Sequence, residues 1–293
     1  MSKTVDFELI LSSAAKLPMV KIDREQFLRS ALKNHFSKGT INRAVKHNPA
    51  YAGISVDKIN KIAKESIRYE TTKVSALSFV AGFPGGLAMI GTIPADLTQY
   101  FGHILRIVQK LAYLYGWGEF YSEDGFMDDA TAYMLTLFVG VMFGVNGAAQ
   151  AITKISASAA QRASKVIAQK ALTKTFIYPI VKKIAQILGV KMTKDIFAKM
   201  VSKAIPVIGG FASGALTFFT YKPMAKKLKE HLAKLPCADV NYYMKRSNDD
   251  RTIDAEFDEV FVANTLEELD NEMKSEEKEL SELEKEYTEN ISQ

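Results

Sequence analysis

Three segments of this chain contain no charged side chain, and they limit its possible folds more than any other feature. They cover residues 75–95, 130–153 and 204–221, which are 21, 24 and 18 residues long by count. A helix needs about 20 predominantly apolar residues to cross a bilayer, so their length permits spanning. Prolines and several glycines interrupt the first and third segments, which predicts bent helical hairpins. Only 130–153 has the pattern of a plain hydrophobic helix.

The rest of the chain also has helical periodicity. Residues 97–115 predict a strongly amphipathic helix that ends near Gly116. Its apolar side contains Leu97, Phe101, Ile104, Leu105, Val108, Leu111 and Ala112. No stretch alternates apolar and polar residues with period two over a useful length. We therefore predict an all-α fold, a compact multi-helix bundle with Gly/Pro-rich bent helical hairpins, centred on 130–153 packed against 97–115.

Charge divides the chain into two parts. The net charge is +5, but residues 1–236 hold 32 basic and 15 acidic side chains, whereas 237–293 hold 6 basic and 18 acidic ones by count. The spacing of apolar residues within the acidic part suits a short helix or coiled-coil seam. We predict a helical domain over 1–236, followed over 237–293 by a linker and an acidic tail that is helical or partly disordered.

Three sequence blocks resemble the EcsC family of bacterial proteins. They are LPMVKIDREQFLRSALK at 17–33, GFPGGLAMIGTIPADLTQYFGHILRIVQKLAYLYGW at 82–117, and IPVIGGFASGALTFF at 205–219. The resemblance covers about residues 15–235. It implies an all-helical, membrane-associated architecture, and it brings no catalytic residues to this chain.

Four polar residues share one face of the predicted helix 97–115 and its first turn. Asp96, Gln99, His103 and Arg106 are spaced at i, i+3, i+7 and i+10, which places them within one sector of the helix. A carboxylate, an imidazole and a guanidinium together can bind an anionic headgroup or transfer protons. The alternative is a polar face that contacts solvent or neighbouring helices. We predict ligand binding by these four residues and assign no catalytic residue.

No metal or cofactor is expected. The four histidines form no HxxxH or HExxH pair, and Cys237 is the single cysteine, which excludes a cysteine zinc cage. The Gly-rich run GFPGG at 82–86 lacks the Gly-Lys-Ser/Thr of a phosphate loop. Cys237 is expected to be an inert thiol in a reducing cytoplasm. The N-terminus has no secretory signal pattern, so we expect a cytoplasmic protein.

A lysine-rich region suggests a polyanionic partner. Residues 151–236 hold 16 basic and 2 acidic side chains by count. Lysines outnumber arginines, which favours diffuse attraction to anionic lipid over recognition of bases, and no nucleic-acid-binding motif is present. The alternative is a solvated cationic surface that the acidic tail partly neutralises. The predicted lipid-contacting residues are Lys165, Lys170, Lys174, Lys182, Lys183, Lys226 and Lys227.

We therefore predict a non-enzymatic helical accessory protein that lies on or dips into the inner face of the cell membrane and contacts anionic lipid. Three alternatives stay open. An integral protein would span the membrane with a hairpin of 75–95 and 130–153, whose connecting loop has 2 basic residues by count between two basic flanks, in agreement with the positive-inside rule. A small-molecule or lipid-like ligand binder, or an enzyme, would use a polar cleft at Asp96, His103 and Arg106. A soluble interaction module would recruit a protein partner through its acidic tail.

Overall fold

The computed structural model describes residues 13–17, 19–81, 95–121, 129–159 and 211–246, together with 177, 180, 181, 183 and 184. Within these ranges there are helices and no strands, so the predicted all-α fold is confirmed as a multi-helix bundle around one hydrophobic core. The α-helices are α1 (Arg24–Leu32), α2 (Lys38–Lys46), α3 (Val56–Ala81), α4 (Ala95–Leu114), α5 (Asp129–Phe143), α6 (Asn146–Ala159), α7 (Phe211–Leu232) and α8 (Val240–Arg246).

Polar side chains begin the first two helices. The Asp23 carboxylate accepts a hydrogen bond from the backbone N–H of Gln26, and the Ser37 hydroxyl accepts one from that of Thr40. Each bond satisfies one of the N–H groups that the first turn of a helix leaves without a partner. Short polar residues therefore set where α1 and α2 start.

The centre of the described bundle is α4, and not the segment 130–153 that was predicted to be central. It packs against α1, α3, α5 and α7. From Phe101 to Trp117 every side chain is buried except that of Arg106, which is partly exposed. The predicted amphipathic helix at 97–115 is therefore confirmed in extent. Its polar face, however, lies inside the protein, because α3 covers it.

Glycines in the left-handed conformation end α4 and α5. Gly116 has φ +99° and Gly144 has φ +83°. After each glycine, the next residue donates a hydrogen bond five residues back, from Trp117 to Ala112 and from Val145 to Gly140. This pattern closes a helix C-terminus by satisfying its last carbonyl groups.

The turn at Gly144 overturns one prediction. Residues 130–153 do not form one helix, because α5 ends at Phe143 and α6 begins at Asn146. Gly140 lets the two helices pack closely, since a Cβ atom there would lie 2.6 Å from the Cβ of Ala148. The prediction was wrong because hydropathy along the segment is continuous, whereas one glycine reverses the chain.

Helices α3 and α7 pack side by side. Near one end, the Lys229 ammonium lies 3.4 Å from the side-chain oxygen of Asn60. Towards the other end, Tyr221 of α7 is buried near Glu70 of α3. Burial raises the pKa of Tyr221, and the charge of Glu70 raises it further. Residue numbers therefore rise along α3 as they fall along α7, so the two helices are antiparallel.

None of the helices in the described ranges is both long enough and apolar enough to cross a bilayer. The Gly/Pro-rich parts of the predicted bent hairpins, at 82–94 and 204–210, lie outside the described residues. So do the predicted linker and the acidic tail beyond Arg246.

The first residues after 236 pack against the body. A short 3-10 turn, Pro236–Ala238, follows α7, and Cys237 in it is completely buried. Burial raises the pKa of the Cys237 thiol to about 12. On α8, the Tyr243 hydroxyl accepts a 2.9 Å hydrogen bond from the Asn48 amide. Helix α8 is thereby attached to the loop between α2 and α3.

Candidate functional site

A buried carboxylate lies at the interface of α3 and α4. Glu70 is 0% exposed although it occupies the middle of a helix whose outer face is charged. Transfer of a carboxylate from water to a protein interior is costly unless cations and hydrogen-bond donors compensate. The surroundings of Glu70 must therefore supply them.

Three side chains of α4 surround this carboxylate. The Lys110 ammonium donates a 2.6 Å hydrogen bond to Oε1, and the Arg106 guanidinium approaches both carboxylate oxygens at 3.3 and 3.4 Å. Nδ1 of His103 lies 3.8 Å from Oε2, within ion-pair range but too far for a hydrogen bond. We call these four residues, Glu70, His103, Arg106 and Lys110, the buried charge cluster.

The cluster holds Glu70 in its ionised form. Burial alone would raise the pKa of this carboxyl, but the His103 ring, Lys110 and Arg106 outweigh burial, and the pKa lies well below its usual value. Lys110 also lies over the rings of Phe27 and Tyr69, at 5.5 and 5.4 Å from their centroids. The aromatic faces add to the stabilisation of the ammonium.

Arg106 and Gln109 also form hydrogen bonds with the segment that precedes α1. Arg106 donates to the carbonyl oxygen of Met19. The Gln109 amide donates to the Val20 carbonyl at 2.9 Å and accepts from the Ile22 N–H at 3.0 Å. One face of α4 therefore binds the N-terminal segment and α3 together.

His103 differs from the other members of the cluster. It is 2% exposed, and neither ring nitrogen has a hydrogen-bond partner. A buried polar atom without a partner costs about 1–3 kcal/mol. The cluster therefore consists of a well-compensated carboxylate beside one incompletely satisfied imidazole.

The four predicted ligand-binding residues do not share one environment in the structure. His103 and Arg106 converge on Glu70, and Gln99 is half-buried one helical turn before His103. The side chain of Asp96 lies outside the described ones. The donors of Arg106 are engaged by Glu70 and Met19, so the side chains that meet here compensate an internal carboxylate.

Glu70 and Lys110 were missed from the sequence. Lys110 continues the polar spacing, since it lies seven residues after His103. That spacing was a usable signal. Glu70 gives no comparable signal, because it follows Arg68 and Tyr69 in a helix rich in exposed charged residues.

A second feature lies on the outside of the α3/α7 pair. Six basic residues form two rows, one on each helix, which we call the basic ridge: Lys61, Lys64 and Arg68 on α3, and Lys222, Lys226 and Lys229 on α7. Five of them are exposed, and Lys229 is buried. The spacings i, i+3, i+7 and i, i+4, i+7 place each row on one face of its helix.

The antiparallel register brings the two rows together. Asn60 of α3 contacts Lys229 of α7, which places Lys61 beside Lys229. From this register and the rise of a helix we infer that Lys64 lies near the level of Lys226, and Arg68 near that of Lys222. Because a helix rises 1.5 Å per residue, each row extends for about 10 Å. Cations thus lie opposite cations along this stretch, where one carboxylate, that of Glu230, lies 3.6 Å from the Lys226 ammonium.

Burial and neighbouring cations both lower the pKa of Lys229. Burial lowers it first, and the charges of Lys64 and Lys226 lower it further, whereas Glu230 raises it. Lys229 is only 7% exposed, and its ammonium shares the Asn60 oxygen with the hydroxyl of Tyr115. Like charges gathered in this way disfavour folding unless an anion relieves them.

The predicted lipid-contacting lysines only partly coincide with the basic ridge. Lys226 belongs to it, and Lys227 is exposed on the same helix but extends towards Gly144. Lys183 is half-buried. The other four predicted residues, Lys165, Lys170, Lys174 and Lys182, lie outside the described residues. The α3 row was not predicted.

Comparison of the chain with protein-family models, with curated proteins and with solved structures finds no match. The resemblance to the EcsC family therefore stays a prediction, and no relative supplies site residues. In the described residues, no group of three or more His, Cys, Asp or Glu side chains is arranged to hold a metal ion. Function has to be argued from the geometry.

Proposed function

We propose that this chain is a non-enzymatic, membrane-associated helical protein that binds anionic lipid through the basic ridge. The observation that carries the proposal is the placement of the exposed Lys64 and Lys226 beside the largely buried Lys229, where both charges act on its ammonium. A surface that concentrates like charges is stabilised when an anion binds to it. Phosphate-bearing headgroups at the membrane surface supply such anions in a plane.

The side-chain chemistry of the basic ridge favours a lipid surface. Five of its six residues are lysines, whose compact ammonium groups act as point charges, whereas bidentate recognition of bases or single phosphates favours arginine. Each basic residue near an anionic leaflet contributes about 1 kcal/mol, and the attraction decays within a Debye length of about 8 Å. A ridge about 10 Å long can therefore hold several headgroups at once.

Vesicle flotation tests the proposal. The full chain would be mixed with vesicles of neutral lipid and with vesicles containing about one-third anionic lipid. We expect flotation only with the anionic vesicles, and loss of it as salt is raised towards 1 M, where the Debye length falls to about 3 Å. Flotation that resists salt and needs detergent for release would indicate insertion and would contradict peripheral binding.

A pair of double variants ties the binding to the basic ridge. Lys64→Gln/Lys226→Gln removes two adjacent charges and should weaken binding to anionic vesicles by about tenfold or more. Lys16→Gln/Lys38→Gln removes the same charge from exposed residues on other elements and is the matched control. Equal weakening by both variants would show that net charge, not the basic ridge, determines binding. Circular dichroism checks that both variants fold.

A further inference from the structure

The acidic end of the chain leaves the body close to the basic ridge. Helix α8 is held by Tyr243, which bonds to Asn48 and lies edge-on against the ring of Tyr51 at 5.8 Å. Asn48 and Tyr51 immediately precede the start of α3, and α8 follows the end of α7 after one short turn. The chain therefore continues beyond Arg246 from the end of the bundle where Lys61 and Lys229 lie.

The charge of that continuation is opposite to that of the basic ridge. Residues 247–293 carry 17 acidic and 4 basic side chains by count. Forty-seven residues would extend about 70 Å even at the 1.5 Å rise of a helix, several times the length of the basic ridge. Tethering also gives such a segment an effective concentration of about millimolar at nearby sites. Reach, charge and concentration all favour an intramolecular contact.

We propose that residues 247–293 dock on the basic ridge and compete there with anionic lipid. Docking of the segment depends only on the basic ridge and on the charge of the segment. Its competition with lipid rests on the proposed function. In the free protein, carboxylates of the segment neutralise Lys64 and add to the charge of Glu230, which lies 3.6 Å from Lys226. Lipid binding displaces the segment, so membrane attachment is adjustable by anything that changes the charge of the segment or sequesters it.

Zero-length cross-linking of the full chain without lipid tests the contact. A carbodiimide joins a carboxylate to an amine only where the two already form an ion pair, with loss of one water. Mass spectrometry of the monomer band should identify links from carboxylates of 247–293 to Lys64 and Lys226, and these links should disappear near 1 M salt. Links that are absent, or equally frequent at the exposed Lys16 and Lys38, would overturn the proposal.

Charge substitution within the segment tests the competition. A variant with four Glu→Gln substitutions in the segment should bind anionic vesicles at least about threefold more tightly. This is the gain in affinity expected if the segment occupies the basic ridge for two-thirds of the time or more. The variant with Glu→Asp at the same four positions keeps the charge of the segment and is the matched control. The positions are Glu276, Glu277, Glu279 and Glu282. Unchanged affinity in the Gln variant would overturn the competition.

The two proposals fail differently. If the cross-links form but the protein ignores anionic vesicles, the segment docks on the basic ridge and the proposed lipid function is wrong. If the protein floats with anionic vesicles but no links reach the ridge, lipid binding stands and docking of the segment is wrong.

Discussion

The ammonium of Lys110 donates a 2.6 Å hydrogen bond to the carboxylate of Glu70, and both side chains are buried between α3 and α4. Two cations and an imidazole enclose this one carboxylate. Removal of one partner from a buried ion pair is costlier than the pair itself is favourable, because the remaining charges lose their compensation. Loss of Glu70 would therefore leave the cations of the cluster uncompensated between α3 and α4.

Glu70→Gln should lower the free energy of unfolding by about 3–5 kcal/mol, because the buried Lys110 and the partly exposed Arg106 would lose the carboxylate that compensates them. Urea denaturation followed by circular dichroism measures the change. Glu65→Gln, an exposed residue on the same helix, is the control and should change stability by less than about 1 kcal/mol. Equal losses in the two variants would contradict a stabilising role for the buried charge cluster.

The low pKa of Glu70 also predicts that the free energy of unfolding falls as the solution becomes acidic. Glu70 has a lower pKa in the folded protein than its usual value of 4.5, so its contribution is fully present above about pH 4.5. Below that pH the unfolded state takes up the proton first, and the contribution declines as the pH falls towards the folded pKa. The wild type should therefore lose more stability between pH 6 and pH 3 than Glu70→Gln, by about 1 kcal/mol or more. Parallel profiles would show that Glu70 is not responsible.

Gly116→Ala should destabilise the protein by about 1–3 kcal/mol through backbone strain alone, since φ at this position is +99°. The added methyl group would also overlap the carbonyl oxygen of Cys237, which adds to the loss. Gly118→Ala is a close control, because nothing lies within 4 Å of a Cβ atom there. Thermal unfolding of the two variants separates them. A near-neutral Gly116→Ala would contradict the observed contact between α4 and the 3-10 turn.

Cys237 should be nearly inert in the folded protein. Its burial, with a pKa raised to about 12, leaves little thiolate at pH 8, and thiolate is the reactive form. Reaction with a disulfide reagent should be at least about a hundredfold slower in native protein than in protein unfolded by urea. Rapid labelling of the native protein would show that the turn after α7 opens easily.

Much of the fold was predictable because it depends on local signals. The all-α class follows from the period of the apolar residues, and the end of α4 follows from Gly116, which alone tolerates the left-handed conformation there. The break within 130–153 was missed, although Gly144 supplies the same signal. Uninterrupted hydropathy outweighed it in the prediction, and a buried pair of helices has the same hydropathy as one long helix.

Only the α4 side of the buried charge cluster was predictable from the sequence. His103 and Arg106 were identified by their shared face on α4, but their partner Glu70 lies 33 residues before His103, directly after two exposed residues of another helix. Likewise, the lysines of α7 stood out by composition, whereas the row on α3 did not. Each interaction joins residues far apart in the sequence, and spacing along one helix cannot reveal it.

The sequence by itself determined that the chain is helical, where several helices begin and end, and that basic and acidic side chains occupy different parts of it. Those properties arise from residues within a few positions of one another. Only the tertiary structure decided that the polar face of α4 is buried against Glu70 and that two basic rows meet across α3 and α7. The physical reason is that ionisation and repulsion depend on distance and burial, which are set when the helices pack.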